Sequence, residues 1–115
     1  MKDINGKITY KDREYRLVFN LNVMEQIQDE FGSVEEWGAL TDGASGEPNA
    51  KAVIFGFTAM LNEGIDIENE ETGSDTKPFT RKQVGRIISE IGFEKATESL
   101  NDTVVESTKS EVKNA

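Results

Sequence analysis

An α+β fold is predicted, with an N-terminal β-hairpin followed by a mainly helical bundle of four to five helices. Three observations predict it. β-Branched and aromatic residues cluster before residue 20. Apolar residues recur at helical spacing after residue 22. Three pairs of a polar residue with Glu or Gln three positions on (Asn22/Glu25, Ser33/Glu36, Thr80/Gln83) read as capping boxes, in which each side chain satisfies the other residue's orphan backbone N–H.

The hairpin spans residues 4–20. Ile4, Lys7-Ile8-Thr9-Tyr10 and Tyr15-Arg16-Leu17-Val18-Phe19 supply the strands, and Lys11-Asp12-Arg13-Glu14 the polar turn. Tyr15, Leu17 and Phe19 share one apolar face. Two strands are barely stable alone, so this face must pack on helices downstream.

The first helix is expected from Asn22 to Phe31, with Val23, Met24, Ile27 and Phe31 at helical spacing and Gly32 as its stop. Ser33 opens a short helix, Val34–Leu40, with Trp37 and Leu40 inward. Thr41 to Asn49 is a loop by composition. The second main helix, Ala50 to Asn62, is apolar on most sides through Ala52, Val53, Ile54, Phe55, Phe57, Ala59, Met60 and Leu61, so it is the central one; Gly64 is expected to end it. In residues 65–78, Asp66, Glu68, Glu70, Glu71 and Asp75 face a single cation, Lys77, which predicts a mobile acidic loop. Thr80 then caps a helix with Val84, Ile87, Ile88 and Ile91 in the amphipathic pattern and Arg81, Lys82 and Arg86 on its other side. After Gly92 a last helix carries Phe93, Ala96, Leu100 and Val104 down one stripe. Residues 1–105 form one domain, and 106–115 a frayed polar tail.

Composition excludes several function classes. The 115 residues fit one domain, and 13 basic against 22 acidic residues give a formal charge of −9. Such a surface repels phosphates and anionic lipid heads, so neither nucleic acid nor membrane is an expected partner. There is no Cys and no His. Disulfides, thiolate metal sites, thiol nucleophiles and the commonest general base are therefore missing. The longest apolar stretch, 51–61, is far short of the ~20 residues that span a bilayer. Met1-Lys2-Asp3-Ile4-Asn5 lacks a signal peptide's apolar run, and a cytosolic location is expected.

Candidate chemistry is sparse. Asp66, Glu68 and Glu70 alternate as calcium-loop ligands do, but the sixth position lacks Gly and the twelfth is Lys77, so a solvated loop is preferred. Glu35/Glu36 and Glu70/Glu71 are adjacent pairs that do not face each other, and the first pair suits a helix's first turn. Arg81, Lys82 and Arg86 read as a solvated face or a contact for an acidic partner. No phosphate loop, nucleophile elbow or dinucleotide fingerprint is present. Neither an enzyme nor a cofactor is expected. Trp37 reads as a buried staple between the short helix and the hairpin, with partner contact as the alternative. The candidate partner-binding residues are Trp37, Phe93, Leu100 and Val104, although core packing accounts for the same side chains. One hairpin gives limited cover for so many apolar faces, so self-association or a partner helix would supply the rest.

The order of the pieces resembles the small tail assembly chaperones of long-tailed (siphovirus-like) bacteriophages and prophages. The stretches that carry it are Tyr15-Arg16-Leu17-Val18-Phe19-Asn20 leading into a helix; Phe31-Gly32-Ser33-Val34-Glu35-Glu36, a helix stop and restart; Met60-Leu61-Asn62-Glu63-Gly64 before a variable acidic segment; and Pro78-Phe79-Thr80-Arg81-Lys82-Gln83-Val84-Gly85-Arg86-Ile87-Ile88 with one further helix. Together they cover residues 5–105. The resemblance implies a protein made in the cytoplasm of the bacterial host and absent from the finished virion. It implies binding to the long helical tape measure protein and recruitment of tail tube protein subunits around it. In many members a ribosomal frameshift yields a longer form, and the polar end Glu106–Ala115 would suit such a junction. The family offers no catalytic motif to carry over. The alternatives are an acidic DNA mimic that inhibits a host nucleic-acid-binding protein, and a minor structural adaptor of the tail.

Overall fold

The computed structural model describes residues 6–43 and 46–113, with side chains up to Thr108. Its order is β1 (Gly6–Tyr10), β2 (Arg13–Leu17), α1 (Leu21–Phe31), α2 (Val34–Thr41), α3 (Ala50–Thr72), α4 (Arg81–Ile91) and α5 (Phe93–Lys113). This is the expected α+β architecture, a two-stranded antiparallel hairpin followed by five helices. Ile4 of the expected hairpin lies outside the described residues, as do Ala44 and Ser45 of the 41–49 loop and the last two residues of the chain.

β1 and β2 pair from Gly6↔Leu17 to Tyr10↔Arg13, so the turn is only Lys11-Asp12. Arg13 and Glu14, expected in the turn, belong to β2. Lys11 and Asp12 have φ of 52° and 65°. Positive φ at both central residues is the signature of the type I′ turn, whose twist matches that of the strands. Leu17 is fully buried, and Val18 and Phe19 nearly so. The Val18 N–H donates to the Met60 carbonyl at 3.2 Å, docking the end of the hairpin on α3.

α3 is the central helix, as its all-round apolarity predicts, and it packs against β2, α1, α2, α4 and α5. Ala52, Val53, Phe57, Met60 and Leu61 are completely buried. It does not end at Gly64 but runs on to Thr72, where Gly73 caps it at φ 74°. Gly64 has a packing role: a Cβ there would collide with the Arg16 carbonyl oxygen. The glycine permits β2 to cross the helix in close contact, and the helix then continues, with Ile65 buried.

The acidic segment is thus not a loop in its first half; Asp66, Glu68, Glu70 and Glu71 are helical. Its second half is held by two asparagines of α3. Asn62 accepts from the Phe79 N–H at 2.8 Å and donates to the Phe79 carbonyl at 2.9 Å. Asn69 treats Thr76 the same way, at 3.1 and 2.9 Å. Two helical turns advance about 10.5 Å along α3. Three extended residues span about 10 Å, so the two pairings match in spacing. Tyr15 packs edge-on against Phe79, with ring centres 5.2 Å apart, and Arg13 donates to Thr76 Oγ1.

α1 begins one residue earlier than expected, and Asn20, not Asn22, is its cap. The Asn20 side chain accepts from the Val23 N–H at 3.2 Å. Asn22 instead donates to Glu63 Oε2 at 3.1 Å, as Asn20 does at 2.8 Å. Gly32 at φ 95° stops the helix, and Ser33 caps α2 by accepting from the Glu36 N–H. α4 carries both halves of the Thr80/Gln83 box and buries Val84, Ile87 and Ile88. α5 continues to Lys113 where fraying was expected beyond residue 105.

Candidate functional site

The four residues put forward from sequence do not form one surface. Trp37 is 1% exposed and Leu100 is fully buried. The Trp37 indole stacks on Phe19 at 6.3 Å and its Nε1–H donates to the Ala52 carbonyl at 2.9 Å. The staple therefore joins α2 to α3 as well as to the residues just after β2. Val104 is half-buried against the core. Phe93 alone among the four is an exposed large hydrophobic, at 37%.

The buried line of α5 is Ala96, Leu100 and Thr103, with Thr97 beside it. Phe93 starts the next face round, followed one and two turns later by Thr97 and Asn101. The Thr97 hydroxyl is spent on the Phe93 carbonyl at 2.8 Å. Asn101 Nδ2 donates to the Thr41 carbonyl at 3.0 Å, tying α5 to the end of α2. The chain then returns to Asn49, whose N–H donates to the Leu40 carbonyl and whose side chain caps α3. These bonds set Pro48 opposite α5.

The result is an open concavity of about 700 Å³ between residues 47–48 and α5, lined by Glu47, Pro48, Phe93, Glu94, Lys95, Thr97, Glu98 and Asn101. Its apolar centre is Phe93 with Pro48. Glu47, Glu94 and Glu98 rim it against one cation, Lys95, and all four are exposed. The arrangement suits docking of an apolar side chain flanked by positive charge. Sequence reasoning missed Glu47, Pro48, Glu94 and Glu98. Glu94 and Glu98, one turn apart beside Phe93, were the available signal; Pro48 was not, since its approach depends on the fold.

The other sequence candidates fall elsewhere. Arg81, Lys82 and Arg86 are exposed on α4, with the Arg81 guanidinium 5.7 Å from the centre of the Phe55 ring. Glu35 and Glu36 occupy the first turn of α2. Asp66, Glu68 and Glu70 lie on a helix, where residues two apart diverge. Among the described residues no three His, Cys, Asp or Glu side chains are placed to hold a metal ion. None of the described helices is long and apolar enough to cross a membrane.

Comparison with protein families, with curated proteins and with solved structures found no significant match.

Proposed function

We propose that the chain is a tail assembly chaperone of a long-tailed phage or prophage, which binds the tape measure protein and helps recruit tail tube subunits. It would act in the host cytoplasm and stay out of the finished particle. The reading draws on the resemblance in element order set out above. The structural observation that carries it is Phe93 exposed beside Pro48 within a rim of Glu47, Glu94 and Glu98. A long helical client offers amphipathic segments, and an apolar anchor in an acidic rim fits one whose apolar stripe is flanked by Lys or Arg. The formal charge of −9 would keep the complex in solution.

A second reading is favoured by one observation. Asp66, Glu68, Glu70 and Glu71 sit on a helix rather than in a loop, and rigid carboxylates are what a DNA mimic presents. One experiment separates the two. A tagged chain is expressed with its parent phage or prophage genes, and bound proteins are identified by mass spectrometry. A tape-measure-like protein, with or without tube subunits, is the expected catch, and it is lost on Phe93→Asp. A nuclease or repressor, lost on reversing the α3 carboxylates, would make the chain a decoy. Its presence in purified particles would make it a structural adaptor.

A further inference from the structure

The hairpin has an edge that no described strand covers. In a ladder closed by a two-residue turn, Tyr10↔Arg13, Ile8↔Tyr15 and Gly6↔Leu17 are the hydrogen-bonded pairs. The intervening residues of β1, Lys7 and Thr9, therefore direct their backbone N–H and C=O to the outer side. A groove of about 450 Å³ follows that side, with residues 7–11 on one bank and Glu90, Ile91, Lys95 and Ser99 on the other. Both faces of β1 line it, Ile8 and Tyr10 from the core side and Thr9 from the outer side, so the groove runs along the strand edge itself. At its far end α5 meets the strand, where Thr103 Oγ1 stands in the place of a Cβ on Gly6.

The groove is basic in an acidic protein. Lys11 and Lys95, both exposed, flank it, and among the described residues Glu90 is the one carboxylate in its wall. We propose that this edge takes up an extended acidic segment of a partner protein as an added strand. Main-chain bonds at Thr9 would supply register, and the lysines would select negatively charged residues. A second copy of β1 is a poor occupant, because antiparallel pairing would bring the lysines of both copies together. The groove shares Lys95 with the Phe93 concavity, but the concavity is acidic on balance and asks for a basic partner, so Lys11→Glu, which touches the groove alone, separates the two surfaces.

The test titrates the full ¹⁵N-labelled chain with a peptide of alternating Glu and Val, about eight residues long. The Thr9 amide is expected to shift and to exchange more slowly with solvent. Lys11→Glu and Lys95→Glu, both at exposed positions, should each weaken binding several-fold, and together about tenfold or more, with an unchanged melting temperature. Methylating alternate peptide nitrogens on the side facing β1 should abolish binding. The proposal is overturned by an unaffected Thr9 amide, by equal binding of a Lys–Val peptide, by indifference to the charge reversals, or by no binding at millimolar peptide. Dimerisation in place of peptide binding would also overturn it, by assigning the edge to a second copy.

Discussion

Trp37 fills the space that a side chain on Gly56 would need: a Cβ there would collide with the indole at Cζ2 and Cε2. The same indole bonds to the Ala52 carbonyl, one turn earlier on α3. Gly56→Ala should therefore destabilise the fold by about 1–3 kcal/mol, because neither a helix backbone nor a buried ring yields easily. Trp37→Phe removes the hydrogen bond and some volume together, and should cost about 1–3 kcal/mol. Urea denaturation followed by circular dichroism measures both, and an unchanged midpoint for Gly56→Ala would show that the indole is not seated there.

Asn20 works in two directions, as cap of α1 and as donor to Glu63. Asn20→Ala loses both and should cost about 1–2 kcal/mol. Asn20→Asp keeps the cap but sets a carboxylate against Glu63. Its cost should be about 1 kcal/mol at low salt and shrink as salt screens the pair. Comparing the two variants across salt concentrations separates capping from repulsion.

Asn62 and Asn69 predict a local effect larger than the global one. Asn69→Asp cannot donate to the Thr76 carbonyl and turns repulsion on it. Amide exchange at Thr76 should accelerate by at least tenfold, while Val53 and Leu61 in the core of α3 change little. Asn62→Asp should do the same at Phe79. Equal acceleration throughout the chain would mean that the segment and the core open as one unit.

Salt should stabilise this protein. Asp66, Glu68, Glu70 and Glu71 crowd the C-terminal half of α3, whose last turn has no basic residue. Their charge opposes the negative end of the helix dipole as well as each other. Arg16 offsets one of them, with its guanidinium 3.5 Å from Glu71. Raising NaCl from about 0.02 M to about 0.3 M should lift the urea midpoint, the reverse of what a fold held by surface ion pairs would do.

Phe93→Asp should lower the melting temperature only modestly, at a cost of about 1 kcal/mol, since the residue is more than a third exposed already. It should abolish capture of the partner. Reversing Glu94 and Glu98 to Lys should weaken capture and flatten its salt dependence. Calorimetry on the recovered partner measures both effects.

Local signals in the sequence were sufficient for α4 and for the centre of α3. The Thr80/Gln83 box and the Val84, Ile87, Ile88 spacing need no tertiary context to be read. The misses share one cause, which is that a residue's local meaning was displaced by a distant contact. Gly64 reads as a helix stop, yet it is small because Arg16 passes over it. Asn22 reads as a cap, but its amide is committed to Glu63 and Asn20 takes the role. The acidic run reads as loop because its charge disfavours a helix end, and the Asn69–Thr76 pairing that arrests the return segment joins residues with no local pattern. On α5, counting threonine as polar hid Thr103 from the buried line and placed Val104 there instead. Phe93 was legible as an apolar residue at a helix start; the proline facing it was not.

The two asparagines of α3 grip Thr76 and Phe79 by their main chain alone. The path of this stretch is thus written largely in the helix opposite, with the Phe79 ring on Tyr15 and the Thr76 hydroxyl under Arg13 as its own side-chain holds. Asp75 and Lys77 point to solvent with no part in those pairings, and Pro78, which has no N–H to give, stands where none is asked for. Mutational drift at 75 and 77 should be nearly free of cost to folding, whereas drift at 62 or 69 is not. That makes residues 75 and 77 the places where an epitope or a crosslinker could be installed without moving either of the surfaces proposed to meet a partner.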